Sequence, residues 1–307
     1  MKLSKLDLSQ AFLFRGSGFS GDGKIYWNLI DDEKVLILQP NFNEKVTFEI
    51  DNSEIFCVGW HDLKTGENHK CAKNKIGEIE CYNCRELTAF NPAFYNSDKI
   101  SPAQIERNSE PHVTYLVDFG GNFIKVGIAH FSRKLGRLLD QGARSAVILD
   151  QFSSANVARK YESEIAKIPN FVEAVRVKTK LNLLSNNFNL QKSSAKLLNA
   201  RNELSQKFNA DFKNEIQALD KFYLDFNKNV SKENSKSEEE IPTDFAILSE
   251  NFTKISGKFI AQVGSIGIFE NDERFFAFDL KKLRGKKIRV SLEISKMELP
   301  AQQIRLF

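Results

Sequence analysis

The sequence lacks the features of a membrane-spanning or secreted protein. It has no apolar run of 18 residues, the length that a membrane-spanning helix requires. The first residues, MKLSKLDLSQAFLF, contain neither the apolar core nor the cleavage site of a secretory signal. We therefore expect a cytoplasmic protein without a membrane partner. Its 307 residues, 41% of them hydrophobic, are enough for two or three domains.

A large excess of charge of one sign is also missing, since 44 Lys and Arg oppose 40 Asp and Glu. This balance permits a nucleic-acid partner but leaves the binding surface to local basic patches. The glycines at 16, 18, 21 and 23 are not followed by the Lys-Ser/Thr of a phosphate loop, so we expect a flexible loop there. No Gly-rich cofactor loop, Ser-His-Asp order or cysteine nucleophile supports an enzyme of small molecules.

Cysteine is scarce, and all of it falls in one short polar segment. The four cysteines are Cys57, Cys71, Cys81 and Cys84. Four thiolates suffice for a tetrahedral zinc site, with residues 81–84 as its C-x2-C knuckle, and such a site leaves no open position for catalysis. We expect a structural zinc, with His61 and His69 as alternates if one cysteine is not a ligand. A disulfide pair, disfavoured by a reducing cytoplasm, and four free thiols are the competing interpretations.

The centre of the chain, residues 113–167, carries a sharper secondary-structure pattern. Two β-rich runs are separated by Gly120-Gly121-Asn122, a hairpin signal because the turn needs a positive φ. A helix follows over 132–141, then a strand over 146–149, then a second helix whose N-cap is Ser153 or Ser154. The predicted order is β-β-α-β-α, within an α+β protein.

These residues resemble the core of the GIY-YIG nucleases. Val113-Thr114-Tyr115 stands for the first motif, and Lys125-Val126-Gly127 for the second, with a lysine where that motif has its tyrosine. Arg137 and the Ala158-x-x-x-Glu162 pattern match two further family positions. The whole chain resembles more closely an uncharacterised prokaryotic family that joins a cysteine-rich segment, this core with Asp-Gln-Gly-Ala at 140–143, and a glycine-punctuated β tail.

The resemblance implies a set of catalytic roles. Tyr115 would assist deprotonation of a water, Arg137 would clamp the scissile phosphate, and Glu162 would hold a Mg²⁺ or Mn²⁺ ion. Lys125 would add positive charge. A three-residue loop at 120–122 puts Tyr115 and Lys125 on one face of the hairpin, whereas a two-residue loop separates them. Helical periodicity alone does not choose between Glu162 and Glu164; the family match favours Glu162.

The remaining segments complete the predicted organisation. Strands are expected at 10–14, 23–29, 34–39 and 45–50, and again at 245–248, 257–263, 267–269 and 275–278. Helix is expected over 171–184 and, from apolar spacing that reaches Phe226, over 193–226. The predicted divisions are a β module at 1–56, the zinc segment at 57–86, a linker at 87–112, the GIY-YIG-like core at 113–168, a helical region at 169–228, a linker at 229–243 and a C-terminal β module at 244–307.

The C-terminal module contains a run of six cations without an acid among them. They are Lys281, Lys282, Arg284, Lys286, Lys287 and Arg289. With nearby phenylalanines, such a run can contact a phosphate backbone while aromatic rings stack on bases, although a solvated turn is an equal alternative. Our leading hypothesis is a nucleic-acid-binding protein with a metal-dependent phosphodiesterase site. The alternative is a non-catalytic nucleic-acid-binding or scaffold protein on a degenerate core.

Overall fold

A computed structural model describes residues 1–94, 100–224, 240–248 and 252–300. The fold is mixed α+β, with six α-helices among the described residues. The chain divides into two compact units. Unit 1 comprises Met1–Gly18, Lys24–Phe90 and Lys236–Phe307, and unit 2 comprises Phe19–Gly23 and Asn91–Ser235. Within the described ranges, no helix combines the length and the apolar character needed to cross a bilayer.

Unit 1 is built on a nine-stranded sheet that joins the two ends of the chain. Its strands are β1 (Ala11–Phe19), β2 (Ile25–Ile30), β3 (Val35–Leu38), β4 (Lys45–Asp51), β12 (Phe245–Ile247), β13 (Lys254–Val263), β14 (Ile266–Asn271), β15 (Arg274–Asp279) and β16 (Lys287–Ser291). They lie in the order β12-β15-β14-β13-β4-β16-β1-β2-β3. β1 with β16, β16 with β4, β4 with β13, β13 with β14, β14 with β15 and β2 with β3 pair antiparallel, whereas β12 runs parallel to β15. All eight predicted strands in these segments are therefore present, in one sheet.

The predicted glycine loop is wrong in part. Gly16 and Gly18 lie within β1, which continues to Phe19. Glycine is compatible with a strand at Gly16 because its backbone, with φ +157°, is close to fully extended. The space beside Gly16 is open. Only the turn before β2 retains the expected character, with Gly23 at φ +84°.

The cysteine segment of unit 1 has little regular structure. It contains the two-stranded pair β5 (Trp60–His61) and β6 (Asn68–His69), followed by the helix α1 (Tyr82–Thr88). Its buried side chains are Val58 and the four cysteines, and Trp60 packs against the cysteines. So small an apolar core cannot by itself stabilise a fold of this length.

Unit 2 contains a five-stranded sheet in the order β10-β8-β7-β9-β11. These strands are β7 (His112–Asp118), β8 (Ile124–His130), β9 (Ser145–Phe152), β10 (Phe171–Val172) and β11 (Gln217–Ala218). Its helices are α2 (Pro102–Asn108), α3 (Lys134–Asp140), α4 (Ala155–Ala166), α5 (Val177–Leu184) and α6 (Leu190–Phe208). The succession β7, β8, α3, β9, α4 has the predicted β-β-α-β-α order. Ser154 caps α4 by accepting a hydrogen bond from the Val157 N–H.

The core of unit 2 forms between the sheet and the helices α4 and α6. Leu116, Val126 and Val147 project from three neighbouring strands, and Ile165 of α4 and Leu197 of α6 pack against them. All five side chains are almost fully buried. Burying a side chain of this size stabilises the folded state by roughly 1.5–3 kcal/mol. This packing fixes the position of α4, which carries Glu162.

Three predicted segments differ from the structure. The helix expected over 193–226 ends at Phe208, because Asn209 adopts a left-handed conformation at φ +46°. Phe212 and Tyr223 are buried beyond that end in non-helical chain, whereas Phe226 and residues 229–239 lie outside the described residues. The helix expected over 171–184 begins only at Val177, after the strand β10. The range 87–112, predicted as a linker, includes helix α2, capped by Ser101.

Candidate functional site

The four cysteines form one buried cluster. Each offers its Sγ atom, and all four atoms lie within 4.8 Å of one another. The sulfur atoms of Cys71 and Cys81 are 3.8 Å apart, far beyond the ~2.05 Å of a disulfide, so the predicted disulfide alternative is wrong. A tetrahedron with metal–sulfur bonds of about 2.3 Å has an edge of about 3.8 Å. The cluster thus has the size of a four-thiolate metal site.

Backbone N–H groups surround these sulfur atoms as they would surround thiolates. The Cys81 N–H donates to Cys57 Sγ over 3.2 Å. Burial raises the pKa of the Cys57 and Cys84 thiols in the absence of a metal, whereas at Cys71 hydrogen bonds from the N–H groups of Lys75 and Lys73 outweigh burial and lower the pKa to about 7. The cluster can therefore hold a structural metal such as zinc.

The two histidines that were alternates have other contacts. His61 Nδ1 lies 3.0 Å from the side-chain oxygen of Asn68. The His69 ring stacks on Trp60 with 4.3 Å between ring centres. Neither belongs to the cysteine group, so four sulfur atoms form the donor set.

In unit 2, the hairpin has the register that the three-residue-loop alternative required. Val117 pairs with Lys125, and Tyr115 pairs with Gly127. Tyr115 and Lys125 consequently share one face of the sheet, and the Lys125 ammonium lies 5.8 Å from the centre of the Tyr115 ring. The Tyr115 ring and the Lys125 side chain are therefore neighbours.

Gly127 makes room for the tyrosine. A Cβ atom built on Gly127 would lie 2.4 Å from Tyr115 Oη, a distance that real side chains do not adopt. The Tyr115 ring therefore lies directly over the neighbouring strand. Its hydroxyl is fully buried, and in the described part of the chain it makes no hydrogen bond of good geometry. The Arg137 guanidinium is the polar group that approaches this hydroxyl, so the tyrosine places a buried polar atom beside an exposed cation.

Glu162 and Glu164 differ in their surroundings. Glu162 lies on the buried side of α4, 5% exposed, whereas Glu164 is exposed and pairs with Lys167. Burial raises the pKa of Glu162, although the neighbouring Arg159 guanidinium and Lys125 ammonium both oppose that rise. Glu162 is therefore the carboxylate of the two that faces the other predicted site residues.

The charges of the predicted site act on one another. Burial lowers the pKa of Lys125 to about 8; Glu162 opposes this effect and Arg137 adds to it. Burial likewise raises the pKa of Tyr115, where the charge of Arg137 lowers it and that of Glu162 raises it. The structure thus brings Tyr115, Lys125, Arg137 and Glu162 into one cluster. Arg137 is the exposed member, so it is the member that a ligand in solution reaches first.

Sequence analysis missed two charged members of this cluster. Arg159, on α4, contacts the Glu162 carboxylate and also Glu173 Oε1, the latter over 3.0 Å. Glu173 follows β10, whose Val172 pairs with Lys125 in parallel register. The expectation of helix over 171–184 concealed this strand. Pro169 and Asn170, the latter at φ +68°, ahead of Phe171-Val172 are the signal that could have revealed it.

The predicted basic run lies in a 3₁₀ turn, Leu280–Leu283, and in the interior strand β16. Acids from other segments lie beside it. Arg284 pairs with Glu80, and Lys287 and Arg289 stand opposite Asp51 and Glu49 on β4. Lys286 donates to Asn52, and Lys281 and Lys282 belong to the turn. The run is therefore less positive in the fold than in the sequence.

Comparison with known proteins adds one relationship. Residues 45–288 match the family described as "Protein of unknown function (DUF2797)". The chain belongs to this family. No curated protein and no solved structure matched the chain. For this DUF2797 protein, the family match spans the cysteine cluster, the charged cluster of unit 2 and most of the nine-stranded sheet.

Proposed function

We propose that this DUF2797 protein binds nucleic acid through a GIY-YIG-like site in unit 2 and hydrolyses a phosphodiester there. One observation carries the proposal. Tyr115, Lys125, Arg137 and Glu162, chosen from the sequence as residue types that such chemistry needs, act on one another's charge in the fold. Perturbed titratable groups that converge in this way are typical of functional sites.

Each residue has a position suited to its role. Arg137 is exposed and can form charge-assisted hydrogen bonds to a backbone phosphate. Tyr115 and Lys125 are buried neighbours, and of the two the uncharged lysine amine is the base that can accept a proton from water, because burial keeps the tyrosine protonated. Lys125 occupies the place of the missing tyrosine and has a pKa of about 8, which leaves part of it uncharged near neutral pH.

A divalent ion would add charge stabilisation and lower the pKa of a bound water. Carboxylate oxygens are the ligands that Mg²⁺ and Mn²⁺ prefer, and Glu162 and Glu173 supply two carboxylates that meet the same guanidinium, that of Arg159. Glu162 is the buried carboxylate that would hold such an ion, and the ion would take the place at which the Arg159 guanidinium now contacts both carboxylates.

A second candidate function is non-catalytic binding of nucleic acid, or a scaffold role, by the same core. The observation in its favour is the charge around Glu162. Arg159 already pairs with this carboxylate and Lys125 is close by, and two cations weaken the attraction of one carboxylate for a divalent ion. The exposed cations of unit 1, Lys281, Lys287 and Arg289, would support either function by contacting phosphates.

For the cysteine cluster we propose zinc as the structural metal. Four thiolates at tetrahedral separation are the donor set of structural zinc sites. The segment has almost no apolar core, so metal binding would contribute much of its folding free energy.

The test measures cleavage and binding of single-stranded, duplex and branched DNA and RNA, with and without Mg²⁺ or Mn²⁺. We expect metal-dependent cutting that Glu162→Gln reduces at least about 100-fold. Glu164→Gln, two residues along the same helix, is the matched control and should cut like the parent. Arg137→Ala should weaken binding about 10-fold, whereas Lys160→Ala, an exposed cation on α4, should not.

The outcomes separate the two candidates. Absence of cutting, with salt-sensitive binding that Arg137→Ala weakens, would replace the phosphodiesterase by the non-catalytic binding protein. Absence of both would contradict nucleic-acid function and leave the scaffold role.

A further inference from the structure

Glu110, His130 and Ser132 form a hydrogen-bonded chain in unit 2 that the proposed function does not use. His130 Nδ1 lies 2.7 Å from Ser132 Oγ, and His130 Nε2 lies 2.5 Å from Glu110 Oε2. The imidazole is therefore placed between a hydroxyl and a carboxylate. Along the chain the order of the three groups is carboxylate, imidazole, hydroxyl, which is the reverse of the Ser-His-Asp order considered in the sequence.

The hydrogen bonds define the tautomer of His130. The backbone N–H of Ser132 donates to Nδ1 over 3.3 Å, so Nδ1 is an acceptor. The ring proton is then on Nε2, which donates it to Glu110. The Ser132 hydroxyl, at 2.7 Å, is the nearer of the two donors to the single lone pair of Nδ1, which can accept the hydroxyl proton. A nucleophile, a base and a carboxylate that orients the base are the arrangement by which proteins activate serine.

The fold holds this arrangement in place. His130 is the last residue of β8 and pairs with His112, the first of β7. His112 Nδ1 donates to the Glu110 backbone carbonyl over 2.9 Å, which ties the residue that carries the carboxylate to the sheet. The His112 ring stands at 87° to the His130 ring, with 5.1 Å between centres. The imidazole of His130 is thus positioned by a strand and by a neighbouring ring.

The nucleophile is accessible. Ser132 is exposed, whereas the His130 side chain is 13% exposed and hence largely shielded from water. Phe131, beside Ser132, is exposed, and the Lys134 ammonium lies 4.3 Å from the centre of its ring. An apolar ring and a cation next to the hydroxyl favour an ester that has both an apolar group and negative charge.

We propose that Ser132 is a nucleophile activated by His130, with Glu110 as the positioning residue, and that it attacks an ester of this class. Ser132 Oγ forms a bond to the ester carbonyl carbon and its proton passes to His130 Nδ1. The bond to the leaving alkoxide breaks, and the alkoxide takes that proton. Water, deprotonated by the same nitrogen, then attacks the acyl-serine and releases the acid and the free hydroxyl.

A fluorophosphonate probe tests the nucleophile without knowledge of the natural ester. It forms a Ser132 Oγ–phosphorus bond and loses fluoride, while the serine proton moves to His130. We expect the intact protein to be labelled at Ser132, located by peptide mass spectrometry. His130→Gln should slow labelling about 100-fold, and Glu110→Gln should slow it less.

Ser153→Ala, at another exposed serine of unit 2, is the matched control and should label like the parent, whereas Ser132→Ala should not label. Circular dichroism verifies that each variant is folded. Glu110→Asp should recover part of the rate that Glu110→Gln loses, because it restores the carboxylate. Labelling of Ser132 no faster than of Ser153, or a rate unaffected by His130→Gln, would overturn the proposal.

Discussion

The two units bury polar groups in different ways. Unit 1 buries mainly neutral side chains, and its single buried carboxylate among the described residues, Asp279, accepts a hydrogen bond from the Lys281 N–H at the start of a 3₁₀ turn. The described part of unit 2 buries four ionisable side chains, Asp118, Lys125, Arg144 and Glu162. Moving a charged side chain out of water costs several kcal/mol unless the charge is well paired. Unit 2 is therefore the unit in which burial of charge opposes folding most strongly.

The buried charged side chains of unit 2 differ in how they are paired. Arg144 forms two hydrogen bonds of 2.6 Å to Asp220, and Asp118 pairs with Lys196 and accepts from the Ser193 hydroxyl. These pairs fasten loops to the sheet. Glu162 pairs with Arg159, whereas Lys125 donates to the Val126 carbonyl over 3.1 Å and lies beside the buried hydroxyl of Tyr115. The buried lysine is therefore the charged group whose pairing differs from that of Arg144 and Asp118.

The largest expected effect concerns unit 1. Cys81→Ser should remove the metal and unfold residues 57–84, because metal binding contributes on the order of 10 kcal/mol to such a segment. Metal content by mass spectrometry and limited proteolysis measure the two effects. His69→Ala should keep one metal ion per chain, since His69 stacks on Trp60 outside the sulfur group. Metal retained by Cys81→Ser would contradict the four-thiolate site.

A smaller effect is expected for the buried lysine of unit 2. Its pKa is about 8 in the fold against 10.5 in the open chain, so between these values the unfolded chain binds more protons and the stability of the parent rises with pH. Relative to Lys125→Met, we expect the free energy of unfolding of the parent to increase by about 3 kcal/mol across this window. Urea denaturation at several pH values measures the difference. If stability changed with pH in the same way in both proteins, burial would not lower the pKa of Lys125.

The smallest effect compares two buried tyrosines of unit 2. The Tyr223 hydroxyl donates to the Ala143 carbonyl over 2.6 Å, whereas the Tyr115 hydroxyl has the Arg137 guanidinium near it but no hydrogen bond of good geometry. Tyr223→Phe should therefore lower the free energy of unfolding by about 1 kcal/mol, and Tyr115→Phe should leave it unchanged or raise it. Thermal denaturation checks both variants. An equal loss in the two would remove the distinction between a structural and a functional tyrosine.

Much of the fold followed from local patterns. Alternating apolar residues and Gly-Asn turns located the strands of the sheet in unit 1, and the β-β-α-β-α order of unit 2 was confirmed. The helix over 193–226 was wrong, because the apolar spacing continued past Asn209, whose left-handed backbone ends α6. Apolar spacing indicates which residues are buried but not that they are helical, and Phe212 is buried outside the helix.

The site was predictable only in its sequence motifs. Tyr115, Lys125 and Glu162 were chosen from order and type. Glu173 was not, because its place depends on a two-residue parallel strand, β10, that no periodicity reveals. The acidic partners of the basic run were not predicted either, because they come from a strand that is distant in sequence. Glu49 and Asp51 come to Arg289 and Lys287 through strand pairing over a long stretch of chain.

The strand order of unit 1 has a consequence for the time course of synthesis. β4 lies between β13 and β16, and β1 lies between β16 and β2, so β4 lacks both neighbours and β1 lacks one until the strands β13 and β16 have been translated. At about 5–20 residues per second, the delay between β4 and β16 is roughly 10–50 s. Unit 2, which ends at Ser235, is complete roughly 3–10 s before β16 is made. On the ribosome, therefore, the nascent chain exposes the unpaired edges of β1 and β4 while unit 2 is already able to fold, and this interval is when a chaperone would act.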